Sequence, residues 1–223
     1  MKHFLYMLFF TITVTASAQD TIEKSLGEFS TVKVFDLINL KMIKSDENKA
    51  VISGDNKNDV ELINKNGLLK IRMNIEESYD GNDTVVILYY TSIDIIDANE
   101  GAKVEVQDTI SQYEIDLKAQ EGAEIDADIK TTYANFRAVT GGIINVSGTS
   151  KNQDVSVNTG GEFDGRELVT SRAEASVKAG GEVYIHATEY VEAKIKVGGN
   201  IYIYGNPKEI DESKVLGGTI KRM

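Results

Sequence analysis

From residue 93 onward, apolar and polar residues alternate in short runs, and glycines punctuate the runs at a nearly fixed interval. The first Gly of each phrase is Gly101, Gly122, Gly141, Gly160, Gly180, Gly198 and Gly217, with successive gaps of 21, 19, 19, 20, 18 and 19 residues. Three residues after each Gly stand Val104, Ile125, Ile144, Phe163, Val183, Ile201 and Ile220; five after stand Val106, Ala127, Val146, Gly165, Ile185 and Ile203. Most residues between them are Lys, Glu, Asp, Asn or Tyr, the period of two expected of a strand with one buried face. The pattern also runs backwards. Ala98, Ala119, Ala138, Val157, Val177 and Ile195 lie three residues before Gly, and Ile96, Leu117, Phe136, Val155, Ala175 and Ala193 lie five before.

Each repeat therefore reads as strand, Gly-centred turn, strand, connecting turn. A period near 19 residues leaves no room for a helical crossover, so successive coils must pair strand on strand in parallel. The expected fold is all-β: a single-stranded right-handed parallel β-helix, or solenoid, with Gly-Gly or Gly-Ala corners. Its hand follows from strand twist and the rule for parallel connections. One coil cannot bury its own aliphatics, and repetition stacks them in a shared interior, each worth about 1.5–3 kcal/mol.

The last repeat departs from the rest. Glu212 and Lys214 stand at two aliphatic positions, and Pro207, the chain's single proline, lies just before them in the turn signal YGNP. Residues 212–223 are read as a cap that ends the regular repeats of 93–211. Residues 19–92 are strand-rich but irregular ("TVKVFDLINLKMI", "GLLKIRM", "TVVILYY"), and no linker separates them from the repeats. They are expected to form the first coils of one β-helix domain spanning 19–223.

The amino terminus adds a destination. A short basic start, the apolar run "FLYMLFFTITV" and the small residues Ala16, Ser17 and Ala18 make residues 1–18 a secretory signal peptide, cleaved before Gln19. The mature chain is expected in the periplasm, at the cell surface or outside the cell, with no transmembrane span, because no other stretch reaches about 20 apolar residues. The chain has no Cys, so neither disulfides nor a lipid at the cleavage site is available. The net charge is −11; without Lys2 it becomes −12, with 23 basic against 35 acidic side chains. Such an acidic chain without basic clusters is not a nucleic-acid binder.

Candidate chemistry is sparse. His186 is the one histidine beyond the signal, which with no Cys leaves no usual transition-metal set, and it is read as an exposed strand residue. The Gly pairs border strands rather than a helix N-terminus, so no phosphate cradle forms and no cofactor is expected. Alternation places Glu105, Asp126 and Asp164 in one outward ladder and Glu124, Glu162 and Glu182 in the next. Such ladders fit a solvated acidic face, a weak Ca²⁺ site or a glycosidase-like carboxylate pair about 5–10 Å apart, and the solvated face is the plain reading. No catalytic residue is assigned. The same rule sets Tyr184 beside Tyr202 and His186 beside Tyr204. These four rings form a candidate surface for glycan or protein, with cross-strand stacking as the structural alternative.

The order of "GLLKI", "VVILYY", repeated Gly corners and a closing "YIYGNP…LGGTIKRM" resembles the family called putative auto-transporter adhesin, head GIN domain. The closing motif falls on Tyr204, Gly205, Pro207, Gly217 and Gly218. Glu100 and Glu121 depart from the small residue usual before the first corners, and Thr91-Ser92 replaces an expected proline. The resemblance implies a secreted right-handed β-helix of a family without an assigned enzymatic activity. The resulting expectation is a non-catalytic envelope protein presenting a solenoid surface to glycan or protein. A carbohydrate-active β-helix enzyme and a structural periplasmic scaffold are the alternatives.

Overall fold

A computed structural model of the chain describes residues 21–223, so the expected signal peptide lies outside the described residues. Strands make up 67% of the described residues and helix 3%, arranged as a β-solenoid of about seven turns whose coils lie about 19 residues apart.

The regular part follows seven amino-terminal strands. It then runs through β8 (Ile95–Ala98), β9 (Lys103–Val106), β10 (Ile110–Ser111) and β11 (Glu114–Gln120). Four long strands follow: β12 (Glu124–Val139), β13 (Ile143–Asn158), β14 (Glu162–Val177) and β15 (Glu182–Val197). The stack ends with β16 (Asn200–Tyr204), β17 (Glu209–Leu216) and β18 (Thr219–Arg222). All pairings from β8 to β18 are parallel and, outside register shifts in β14, follow the Gly alignment, Ile125 on Ile144 on Phe163 on Val183 on Ile201. Every aliphatic or aromatic side chain expected inside from Ile96 to Ile203 is buried, while Ile220 in the last coil is half-buried.

The connecting turn expected in each repeat is present between β9 and β11 and between β16 and β17, but in the four long strands it is not a turn. The β12–β13 ladder continues through Thr131↔Ser150 and Tyr133↔Asn152, so one strand bends around the coil without losing its pairing. Side-chain hydrogen bonds inside the bend replace the turn. Thr131 Oγ1 donates to Ser150 Oγ (3.0 Å), Gln153 Nε2 to Thr170 Oγ1 (2.9 Å), and Thr170 Oγ1 to the His186 carbonyl (2.8 Å). Ser150, Gln153 and Thr170 are buried, and bonds of this kind make a buried polar group tolerable, although Gln153 Oε1 itself has no partner among the described residues.

The Gly corners divide their work between two positions. Gly198 has φ +62° with open space around a would-be Cβ, so backbone conformation alone calls for Gly. At Gly199 a Cβ would lie 2.8 Å from the Gly181 carbonyl oxygen of the coil beneath, so close approach also excludes a side chain.

The amino-terminal strands are β1 (Ile22–Ser25), β2 (Thr31–Val34), β3 (Asn39–Lys44), β4 (Lys49–Gly54), β5 (Val60–Lys65), β6 (Leu68–Met73) and β7 (Thr84–Tyr90). Here chain order and stacking order part company. β2 and β3 pair in parallel with β8 and β9 on one side and with β6 and β7 on the other. The first coil of the chain is thus second in the stack. β5 then runs antiparallel to β6, β4 antiparallel to β7, and β1 antiparallel to β4. Asp36 and Leu37, at φ +59° and +63°, form the corner between β2 and β3. Asp36 is buried, and its carboxylate accepts the Met73 and Tyr79 amides at 3.0 and 3.2 Å, bonds that hold a non-Gly residue in this conformation.

Candidate functional site

The outward face beyond each Gly corner carries one continuous ladder. Pairing sets Lys41, Glu105, Asp126, Asn145, Asp164, Tyr184, Tyr202 and Lys221 side by side. Over its acidic half lies an open groove of about 660 Å³, whose walls include Glu105, Asp126, Asn145, Asp164, Arg166 and Glu167. Small inward residues produce the dent. Ala127 and Gly165 stand where the later coils carry Ile185 and Ile203. Gly165 leaves room that the Phe163 ring occupies, since a Cβ there would lie 2.6 Å from its Cε1. Phe163 in turn packs on Phe136, with ring centres 4.7 Å apart.

Hydrogen bonds fix the groove's polar groups. Asn145 Nδ2 donates to Asp126 Oδ1 at 2.8 Å. Asp128, just beyond the wall, accepts from Thr109 Oγ1 (2.6 Å) and Ser147 Oγ (2.8 Å). Between Asn145/Ser147 and Asp164/Glu167 the register shifts, and the extra residue on β14 forms a bulge. Bulges re-aim side chains, and this one turns Arg166 back. Its backbone amide and Nε both reach the Asp164 carboxylate, at 3.1 and 2.9 Å, and its Nη2 joins them. The guanidinium holds the Asp164 carboxyl below the usual carboxylate range, first through its hydrogen bond.

Arg166 also joins the acidic half of the face to the aromatic half. Its guanidinium lies over the Tyr184 ring, 5.0 Å from the centroid, and Tyr202 stacks on Tyr184 at 4.9 Å and 12°. Tyr184 is therefore covered from both neighbouring coils and presents its ring edge to solvent. Its hydroxyl donates to Glu182 Oε2 (2.6 Å), which pushes the phenol pKa upward, and Asn200 Nδ2 donates to the same carboxylate at 3.2 Å. His186 pairs in register with Tyr204, and its Nδ1 lies 3.0 Å from the Arg166 carbonyl oxygen. The four rings picked out by alternation, Tyr184, His186, Tyr202 and Tyr204, all lie on adjacent strands and are all half-buried.

Arg166 escaped the sequence reading. The signal that points to it is the gap of 20 residues between Gly160 and Gly180, longer than the two gaps before it. In the neighbouring ladder Glu162 lies beside Glu182; burial first, and then the Glu182 charge, push the Glu162 carboxyl upward. Among the described residues no three His, Cys, Asp or Glu side chains converge as a metal set, and no helix is long and apolar enough to cross a membrane.

A family model described as "Putative auto-transporter adhesin, head GIN domain" matches residues 28–207. The chain belongs to that family. This GIN-domain chain is also similar to solved structures. A putative adhesin from Bacteroides fragilis is 18% identical, with a TM-score of 0.84 over 93% of this chain and 98% of that one. A putative adhesin from Parabacteroides distasonis is 17% identical, with a TM-score of 0.73 over 92% and 96%. A putative lipid binding protein from the same species is 16% identical, with a TM-score of 0.67 over 93% and 97%. At these identities the GIN-domain chain shares their fold. No curated protein matches it.

Proposed function

We propose that this chain is an exported, non-catalytic binding module of the cell envelope, and that its lateral face holds a glycan or a protein segment. The groove carries the reading. It is open along the solenoid axis, lined by fixed carboxylates and the Asn145 amide, and bounded by Arg166. Beyond Arg166, the edges of Tyr184 and Tyr202 with His186 and Tyr204 extend the contact surface. Carboxylates with an amide and a guanidinium offer paired acceptors and donors to sugar hydroxyls. The adhesin names of the family and of its structural neighbours agree with a binding role.

The test is a glycan array and envelope-surface binding with Asn145→Ala, Arg166→Ala and the pair Tyr184→Ser with Tyr202→Ser, each read beside its melting temperature. Binding lost with stability kept supports the site. Binding unchanged in all three at full occupancy would overturn it.

One observation favours a carbohydrate-active enzyme. The Glu162 carboxyl is shifted in the direction a general acid needs, beside a second carboxylate on the adjacent strand. In the groove itself Asp164 is shifted the opposite way. Turnover of any polysaccharide that Glu162→Gln abolishes would establish the enzyme reading in place of the binding one.

A further inference from the structure

The far end of the stack is an open sheet edge. β17 pairs along one side only, from Tyr190↔Glu209 to Val197↔Leu216 of β15. The Leu216 carbonyl accepts the Gly198 amide at 2.9 Å. Strand alternation therefore turns the peptide groups of Asp211, Ser213 and Val215 towards the open edge. Ile210, Glu212 and Lys214 continue the inward columns of Val191, Ala193 and Ile195. Val215 and Leu216 are 70% and 65% exposed.

A strand pairing with its own copy across a two-fold axis must set each residue opposite one on the same face, so the axis passes through a residue and not between two. An axis at Glu212 puts Glu212 against itself and Ile210 against Lys214. At Lys214 the axis opposes two ammonium groups. An axis at Ser213 sets Glu212 opposite the second copy's Lys214, twice, and Ile210 opposite its Leu216, twice. The same axis brings the open-edge peptides of Asp211, Ser213 and Val215 face to face. Arg222, whose Nη2 lies 3.7 Å from Glu212, adds positive charge beside these pairs.

We propose that the chain forms a two-fold, end-to-end dimer through antiparallel pairing of β17 centred on Ser213. Inward charges at a sheet edge reject a foreign apolar strand. In this one register they accept a second copy. An isologous contact closes after two chains, so this contact by itself builds no filament.

Sedimentation equilibrium of the purified protein tests this. The unchanged chain dimerises, and Glu212→Lys or Lys214→Glu alone raises the dissociation constant by about tenfold or more, because like charges then face each other twice. The two variants mixed in equal amounts form a heterodimer, since each supplies the charges the other lacks, and the double reversal restores the homodimer. That rescue also shows that each variant is folded. In a chain with no other Cys, Ser213→Cys closes a single disulfide between copies on oxidation. An unchanged chain that stays monomeric to its solubility limit, a dimer indifferent to both reversals, or a mixture that fails to associate would overturn the proposal.

Discussion

At the amino-terminal end of the stack, the outermost parallel coil, β6 and β7, lies under strands that run the other way, β5 along β6 and β4 along β7. At the carboxy-terminal end the outermost strands, β17 and β18, run parallel to their neighbours and carry nothing beyond them. The covered end can afford aliphatics throughout: Ile52, Leu69, Ile71, Val86 and Leu88 are all fully buried. The open end replaces them with Glu212 and Lys214 and leaves Ile210 and Ile220 half-buried. Reversing strand direction lets the chain double back over its own core. Both ends still finish in strands paired along one side, β1 and β5 at one and β17 and β18 at the other, but only the parallel end sets charges in the inward columns.

The sharpest test of this contrast puts the same charge at each end. Ile52→Asp buries a carboxylate in the closed core and should cost more than about 4 kcal/mol, leaving little folded protein. Ile210→Asp, at a half-buried position beside water, should cost about 1 kcal/mol or less. Urea unfolding of both measures the gap, and equal losses would erase the distinction between the ends. Within the last full coils the same logic separates faces. Ile201→Asp should cost about 3–4 kcal/mol, whereas Tyr202→Asp loses the stacking contact with Tyr184 and should cost about 1 kcal/mol.

The sequence reveals the open end far better than the covered one. The columns from Ile96 to Ile203 are legible because coils adjacent in the chain are adjacent in space, so pairing writes itself as a period near 19 residues. That correspondence fails when β2 and β3 slip between β6–β7 and β8–β9, pairing residues with partners 37 and 64 positions away, as at Val32↔Leu69 and Val32↔Ile96. No period records such jumps. The β2–β3 corner hides for a second reason, since Asp36 and Leu37 reach positive φ without Gly, and Asp36 is held by bonds to residues far along the chain. In the candidate site, alternation places the carboxylates and the four rings correctly on the outer face. It misses Arg166, whose direction depends on a bulge and not on parity.

The two kinds of corner also differ in what holds them. Asp36→Ala removes the acceptor of two backbone amides, one of them at buried Met73, and leaves Ala at positive φ, for an expected loss of about 3 kcal/mol. Asp36→Asn keeps one acceptor and tolerates the conformation, so its loss should be about half as large. Gly199→Ala, at φ +99° against the neighbouring coil, should cost about 2 kcal/mol through strain and contact. If Asp36→Ala proved as mild as an average surface change, the side-chain account of the amino-terminal corner would fail.

The smallest expected effect separates a corner from the groove by the sign of their pH dependence. Glu100 stands at the β8–β9 corner, beside the Asp36–Leu37 corner, where burial first, and then the charges of Asp36 and Glu121, push its carboxyl above the ordinary 4.5. The folded state therefore holds this proton more tightly than the unfolded chain, and stability is lost as pH rises from 4.5 through the raised value. Glu100→Gln removes that loss, so the variant should melt higher than the unchanged protein at pH 7, by no more than about 2 °C because solvent screens a partly exposed group. The advantage should fade below about pH 4.5. Asp164 in the groove runs the other way. Arg166 lowers its carboxyl below the ordinary 3.8, so its contribution is present at neutral pH and is lost as pH falls through the lowered value. Asp164→Asn should accordingly melt slightly lower than the unchanged protein at pH 7 and converge with it in strong acid. Melting curves of the two variants from pH 3 to pH 8 should diverge from the unchanged protein in opposite directions, and a shift of the same sign in both would mean that Arg166 does not clamp Asp164 in solution.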